Sequence, residues 1–396
     1  MQRYQNLRMH LNSDISATTV NQISSASADH FAQLDAELIL SAAESTGLRS
    51  TGRFQQLNSM ENRVYAVEIE DPKQTRGVGQ IIIKFYRPQR WTPAMLVSEH
   101  ALLRLLAEEN IETPKLIPIV RPEFTHPEAS TLRAKLRGDL PHSFPTSATL
   151  GKAGIFSFAV WEKIYGRVPL ELEEKDLLGI GRTVARMHNL FESHIDPAQF
   201  VRPKFSLDMY VHTPLKNLTE WNRVPRQFSS GLFQLIEHVG RGLEWLSHAD
   251  VFIPVHGDLH RLNLVQMTEG GQFWFVDFDD CQMGLAMQDV WPLASTCGII
   301  VPEHLENVSS SDYALGLLTE GYRDFRALPN DWEIFVEPLR TLKMIHYLGW
   351  IAGRWNDPFF RRTFSFFEEN EYWEKTYFDL SDQQQSLTAQ GLLELP

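Results

Sequence analysis

The sequence predicts an α+β fold in two lobes, a small β-rich front lobe and a larger, mostly helical back lobe. Three observations carry that expectation. A length of 396 residues, divided by a typical domain of roughly 150, gives two or three domains or one two-lobed domain. The hydrophobic fraction of 43% supplies a large core and excludes disorder throughout. Short β-branched runs fall in the first part of the chain, long helical patterns fill the second, and no internal repeat is visible.

The elements follow in order. Residues 1–33 are rich in Ser, Asn, Gln and Thr, have no apolar stretch like that of a secretory signal, and read as a flexible tail. LDAELILSAAE (34–44) is apolar and made of helix formers. VYAVEI (64–69) and QIIIKF (80–85) read as strands on either side of a charged, glycine-containing turn. Thr92 is a good N-cap and Pro93 suits the first helical position, so a helix should run from there to about Asn110. Residues 125–152 carry many Pro, Ser, Thr and Gly residues and read as an insertion loop. FSFAVWEK (156–163) is a further strand. Helical patterns cover 175–190, 231–248, 313–325 and 333–355, interrupted by a strand–loop–strand passage at 251–278. The lobes then span 34–160 and 161–385, with a short tail at 386–396.

The 37 basic and 50 acidic residues leave a net charge of −13, which argues against a nucleic-acid binder. A polyanionic nucleotide remains possible through a local site with a divalent cation. No run of ~18 apolar residues exists, so no membrane span is expected. Cys281 and Cys297 stand 16 residues apart without metal-ligand companions and read as reduced thiols of a cytoplasmic protein.

The chemistry concentrates in VHGDLHRLNL (255–264) and FVDFDD (275–280). Asp258 is followed five residues later by Asn263, and Asp277 comes 14 residues after that. Phosphoryl transfer needs these types. One carboxylate orients the attacking hydroxyl, and an amide oxygen and a second carboxylate hold Mg²⁺ against the phosphates. Asp258 is thus the candidate base, with Asn263 and Asp277 the metal ligands. The alternation of His256, Asp258 and His260 would also suit a transition-metal site, but such a site has no use for Asn263 and Asp277. His256 reads better as a buried strut for the loop.

The pattern resembles the protein-kinase catalytic loop H-R-D-x-x-x-x-N followed by D-F-G, here H-G-D-x-x-x-x-N and Asp277-Phe278-Asp279. A kinase-like fold demands a strand lysine paired with a glutamate on the next helix. Lys84 ends the run Ile81-Ile82-Ile83. Glu99 sits amid Met95, Leu96, Leu102, Leu103 and Leu106, an apolar stripe where a carboxylate needs a cation. No G-x-G-x-x-G precedes Tyr65. Ser59 and Asn62 of LNSMENRVY (57–65) could meet phosphates, or simply build a hairpin turn.

Several passages together resemble the stress response kinase A family of bacterial serine/threonine kinases, which share the fold of aminoglycoside phosphotransferases and choline kinases. They are LNSMENRVY, IIIKFYRPQRWT (81–92), VHGDLHRLNLV (255–265), FVDFDD, MQDVWPL (287–293) and EPLRTLKMIHYLGWIAGRWNDPFF (337–360). The resemblance covers about 34–373. It implies a bilobal protein-kinase-like fold and an ATP- and Mg²⁺-dependent kinase of protein Ser/Thr hydroxyls, its own included, active in bacterial stress response. It makes Ser59 an ATP contact, Lys84 the nucleotide anchor held by Glu99, Asp258 the proton acceptor, Asn263 and Asp277 the metal ligands, and Asp289 a brace for the catalytic loop. The N-terminal tail and the length of 125–152 depart from the family pattern. The expected protein is a cytoplasmic monomer with no nucleic-acid or membrane partner.

Two alternatives stay open. The same fold could phosphorylate a small alcohol or an aminoglycoside-like molecule, and Asp279 and Asp280 would suit a cationic acceptor. A non-catalytic nucleotide-binding scaffold would be marked by loss of Lys84, Asp258, Asn263 or Asp277, all of which are present. Cys281 beside the acidic motif suggests either a redox switch or a plain buried thiol.

Overall fold

The computed structural model of the chain describes residues 31–75, 77–128, 149–249, 252–267, 271–305, 307–329 and 331–394. The expected tail up to residue 30 and positions 129–148 of the expected insertion lie outside them. The helices are α1 (Ala36–Glu44), α2 (Pro93–Glu108), α3 (Glu174–His194), α4 (Thr213–Trp221), α5 (Arg226–Gly242), α6 (Met287–Thr296), α7 (Ser310–Arg323), α8 (Val336–Gly353), α9 (Pro358–Thr363) and α10 (Asn370–Ala389). The strands are β1 (Ser50–Leu57), β2 (Arg63–Ile69), β3 (Gln80–Phe85), β4 (Leu116–Ile117), β5 (Gly151–Ala153), β6 (Phe156–Glu162), β7 (Ile253–Val255), β8 (Leu264–Gln266), β9 (Phe273–Phe275) and β10 (Gln282–Gly284).

Two compact units divide the chain. One joins His30–Pro203 to Ile253–Ala327, and the other includes Lys204–Phe252 and Leu328–Pro396. The strand-rich part, α3, the β7–β10 passage, α6 and α7 fall in the first of these units.

In the first unit a sheet runs β1-β2-β3-β6-β4, with β5 paired to β6. All its pairs are antiparallel, and Lys84 of β3 lies opposite Val64 of β2 and Ala159 of β6. Side chains alternate across a strand. Ile81, Ile83 and Phe85 therefore join the core with Ile39, Ala42 and Ala43 of α1, and Lys84 faces away from it. Each isoleucine or phenylalanine among them contributes roughly 1.5–3 kcal/mol on burial. Phe31 is already part of this core, stacked on Phe156 at 5.7 Å. The expected 125–152 insertion is closed at its base by a bridge between Thr125 and Gly151.

Helix α2 starts as expected, with the Thr92 hydroxyl accepting from the Met95 N–H at 3.3 Å and Pro93 in the first turn. It ends at Glu108, since Asn110 turns left-handed at φ 55°. Helices α3 and α7 approach very closely. A Cβ on Gly181 would lie 2.1 Å from the Leu318 carbonyl, and one on Gly321 2.1 Å from that of Leu178. This crossing puts His188 beside Tyr322, at 2.8 Å.

In the second unit, Trp221 packs against Trp355, Phe367 and Trp373 with ring centroids 4.8–5.7 Å apart. The pattern at 231–248 resolves into α5 and a separate turn from Glu244 to His248, and 333–355 into a turn and α8. The short tail expected from 386 begins inside α10, and it buries Leu387 and Leu393.

Candidate active site

β7 ends at Val255, and the next residues form a tight loop rather than more strand. Asp289 in the first turn of α6 explains it. Its carboxylate accepts the His256 N–H at 2.8 Å and the Gly257 N–H at 2.9 Å, and meets His188 Nε2 at 3.0 Å. Gly257 has φ +83°, and a Cβ there would come 2.2 Å from the Asp280 carbonyl. No other residue fits without moving that backbone.

The His256 ring is fully engaged. Nε2 donates to the Val276 carbonyl at 3.0 Å and Nδ1 accepts from the Asp258 N–H at 3.4 Å. The acceptor carbonyl fixes the proton on Nε2. The ring is the strut that the sequence suggests, and with both nitrogens used it has none for a metal. Asp258 is left part-exposed, Oδ2 3.3 Å from His260 Nε2. Arg261 anchors the far side of the loop through its backbone N–H on Thr296 Oγ1 at 3.0 Å and its side chain on the carbonyls of Thr296 and Pro169.

Asn263 and Asp277 stand at one end of the β8–β9 hairpin, where the Val276 N–H bonds the Asn263 carbonyl at 3.0 Å. The Asn263 amide N–H donates to the Asp258 carbonyl at 2.9 Å, which commits the nitrogen and leaves the amide oxygen as the donor for a cation. Asp277 has a left-handed backbone, φ 65°, and its side chain is 57% exposed. Strained conformations of this kind collect at functional sites. An amide oxygen and an open carboxylate fit a hard ion that keeps several waters, such as Mg²⁺. Among the described residues no group of three or more His, Cys, Asp or Glu could hold a metal.

Lys84 brings the strand side in. Its ammonium lies 3.5 Å from Glu99, 3.5 Å from Asp277 and 3.6 Å from Asp279. Burial opposes the ammonium, yet Glu99 and Asp279 outweigh it and hold its pKa well above the ordinary lysine value. One cation cannot neutralise three carboxylates. Glu99, 1% exposed, is pushed up by burial to about 7 against the pull of Lys84. Asp279 is equally buried but goes the other way. Arg90, Lys84, Arg202 and the Asn62 amide hold its carboxyl well below the usual range.

Ser59, the residue matched to an ATP contact, accepts the Asn62 N–H on its hydroxyl at 3.3 Å. Asn62 reaches further, donating to Asp279 at 3.2 Å and accepting from the Arg87 N–H at 3.0 Å. Arg90 clamps Asp279 and, at 2.5 Å, Asp280. Arg202 donates to the backbone of Asp279 and Cys281 and lies 4.2 Å over the Trp91 ring. Sequence reasoning gave no role to Arg87, Arg90, Arg202, His188 or Tyr322. The only signal was the pair of arginines directly after the lysine strand. Cys281 and Cys297 are free and buried, and burial pushes both thiols up to about 12. Among the described residues no helix is long and apolar enough to cross a membrane.

Known proteins are similar to this chain over most of its length. Stress response kinase A of Escherichia coli K12 is 27% identical over 351 residues, which cover 88% of this chain and 92% of that protein. A Salmonella typhimurium relative named serine/threonine protein kinase RdoA is 25% identical, covering 87% of this chain and 91% of its own length. Among solved structures, an amicoumacin kinase in complex with AMP-PNP and Ca²⁺ superposes with a TM-score of 0.58 at 20% identity, covering 85% of this chain and 94% of that one. A microcompartment-associated aminopropanol kinase gives 0.57 at 19% identity, with coverages of 90% and 99%. These likenesses establish the kinase-like α+β fold. The model of the phosphotransferase enzyme family matches residues 53–309, a span that contains every candidate residue from Ser59 to Asp289. Because that model spans more than half of the sequence, this chain belongs to the phosphotransferase enzyme family and is an enzyme of the kinase type.

Proposed function

We propose that the chain is an ATP- and Mg²⁺-dependent protein kinase that phosphorylates serine and threonine hydroxyls in a bacterial stress response. The observation that carries this reading is the meeting of Lys84, on the strand side, with Asp277, on the hairpin side, at 3.5 Å. Lys84 holds the α- and β-phosphates, and Glu99 keeps Lys84 in place. Asn263 and Asp277 hold Mg²⁺, which supplies charge neutralisation at the phosphates when bound. Asp258 orients the acceptor hydroxyl and takes its proton. Ser59 contacts ATP from the loop above.

The protein acceptor is supported by the name of one relative, the serine/threonine protein kinase RdoA. A cationic small-molecule acceptor loses its best argument, because Arg90 already engages both Asp279 and Asp280. The test is incubation with γ-labelled ATP and Mg²⁺, followed by phosphosite mapping on the chain and on a basic protein acceptor. Labelled Ser or Thr that disappears in Asp258→Ala supports the reading. ATP consumption only with small alcohols or aminoglycosides would replace it by the small-molecule kinase.

A further inference from the structure

We propose that Asp279 is a positioning residue that, through the Asn62 amide, sets the 58–62 loop at the height needed to receive the nucleotide. The inference rests on the ATP reading above and adds a residue to it. Asn62 is buried, 3% exposed, and both ends of its amide are used. Its oxygen accepts from the Arg87 N–H at the end of β3, and its nitrogen donates to Asp279 Oδ2 across a sequence separation of 217 residues. Its backbone N–H holds the Ser59 hydroxyl at 3.3 Å. A continuous chain of contacts thus runs from the segment after Asp277, through Asn62, to the residue proposed to touch ATP.

Two other roles for Asp279 fit less well. At 3% exposure and bonded to Arg90, it is not placed as an open metal ligand like Asp277. A carboxylate serving only to balance Arg90 and Lys84 would not require a buried asparagine bonded to it. The Asn62 amide has instead the one polarity that satisfies a backbone donor and a carboxylate together.

The polarity supplies the experiment. Asn62→Asp sets two carboxylates face to face. Asp279→Asn removes the charge. Combining Asn62→Asp with Asp279→Asn restores a donor–acceptor pair, and the carboxylate introduced by the first change can still accept from the Arg87 N–H. Affinity of the full chain for MgATP is measured by calorimetry, together with hydrogen exchange of the 58–63 amides without nucleotide. Each single change should weaken MgATP about tenfold, as expected for a hydrogen bond to a charged group, and speed exchange in the loop. The double change should recover part of the affinity lost in Asn62→Asp, and not all of it, because the amide that donates to residue 62 takes the place of the oxygen Arg90 also uses. Because Asp279→Asn leaves Arg90 short of a partner and could unfold the chain, Asn62→Ala serves as the second probe. It leaves every charge paired and should also cost about tenfold. Unchanged MgATP affinity in Asn62→Asp and Asn62→Ala overturns the proposal alone, as does a double variant no better than the worse single one. A wild-type chain that binds no MgATP overturns this proposal and the ATP reading together.

Discussion

The two halves of the candidate site are held in opposite ways. The loop from His256 to Asn263 is built on neutral N–H groups meeting fixed acceptors: Asp289 on two backbone amides, His256 on one carbonyl, Asn263 on another. The strand side is built on charge: Lys84 among Glu99, Asp277 and Asp279, and Arg90 between Asp279 and Asp280. Hydrogen bonds aimed at backbone groups hold a loop to one geometry. Shared ion pairs respond to protonation and to any other charge that arrives. The first half suits groups that must stand still during transfer, and the second suits groups that must meet a polyanion.

The sharpest test of this contrast removes the carboxylates proposed to take part in transfer. Asp258→Ala and Asp277→Ala should each lower phosphate transfer at least about a thousandfold, some 4 kcal/mol of barrier, while thermal unfolding stays near wild type. The exposure of the Asp277 side chain is the reason to expect little loss of stability. Next, Asp289→Ala should destabilise the chain by about 3–5 kcal/mol in urea unfolding, because it strands buried donors on His256, Gly257 and His188. An effect below about 1 kcal/mol would mean that the loop does not depend on its brace. Gly257→Ala should cost about 1–3 kcal/mol through its positive φ and its clash with Asp280, with transfer reduced alongside.

The charged half is tested by pH. Glu99 has its folded-state pKa raised above the ordinary 4.5 to about 7, so its contribution to stability is present at low pH and lost as the pH rises through about 7. Asp279 is depressed below its ordinary 3.8, so its contribution is present above that value and lost as the pH falls beneath it. Urea midpoints should therefore lose their downward slope across pH 4.5–7 in Glu99→Gln and their acid-side drop in Asp279→Asn. The smallest effect is expected at Cys281. Its buried thiol should stay unreactive toward a thiol reagent in the native chain and react in denaturant, with Cys281→Ala leaving transfer almost unchanged.

The same contrast explains what could be read from the sequence. The hairpin half lies within 34 residues, from His256 to Asp289, so spacing alone displayed it. Lys84 and Glu99 were legible because each interrupts an apolar pattern whose period assigns its face. The bracing bonds of Asn62, Arg90, Arg202 and His188 were not, because each reaches a partner far away in sequence; the loop pattern suggested Asn62 only as a phosphate contact or turn residue. Strand β1 was missed for a simpler reason. Its sequence STGRFQQL is almost wholly exposed at the sheet edge and has no apolar alternation to reveal it. Helix ends moved by a few residues where a cap or left-handed turn, as at Asn110, outweighs propensity.

Gly257 carries one more implication, for how such sites can be recombined. The backbone at 257 rests directly against the backbone at 280, with no side chain between them to yield. The H-G-D and D-F-D segments therefore form a single cassette. A chimera that imported an H-R-D loop alone would force Asp280 out of place, and with it the Arg90 clamp. One that exchanged 256–263 together with 277–281 would keep the fit, so the two motifs should be inherited, and transplanted, as a pair.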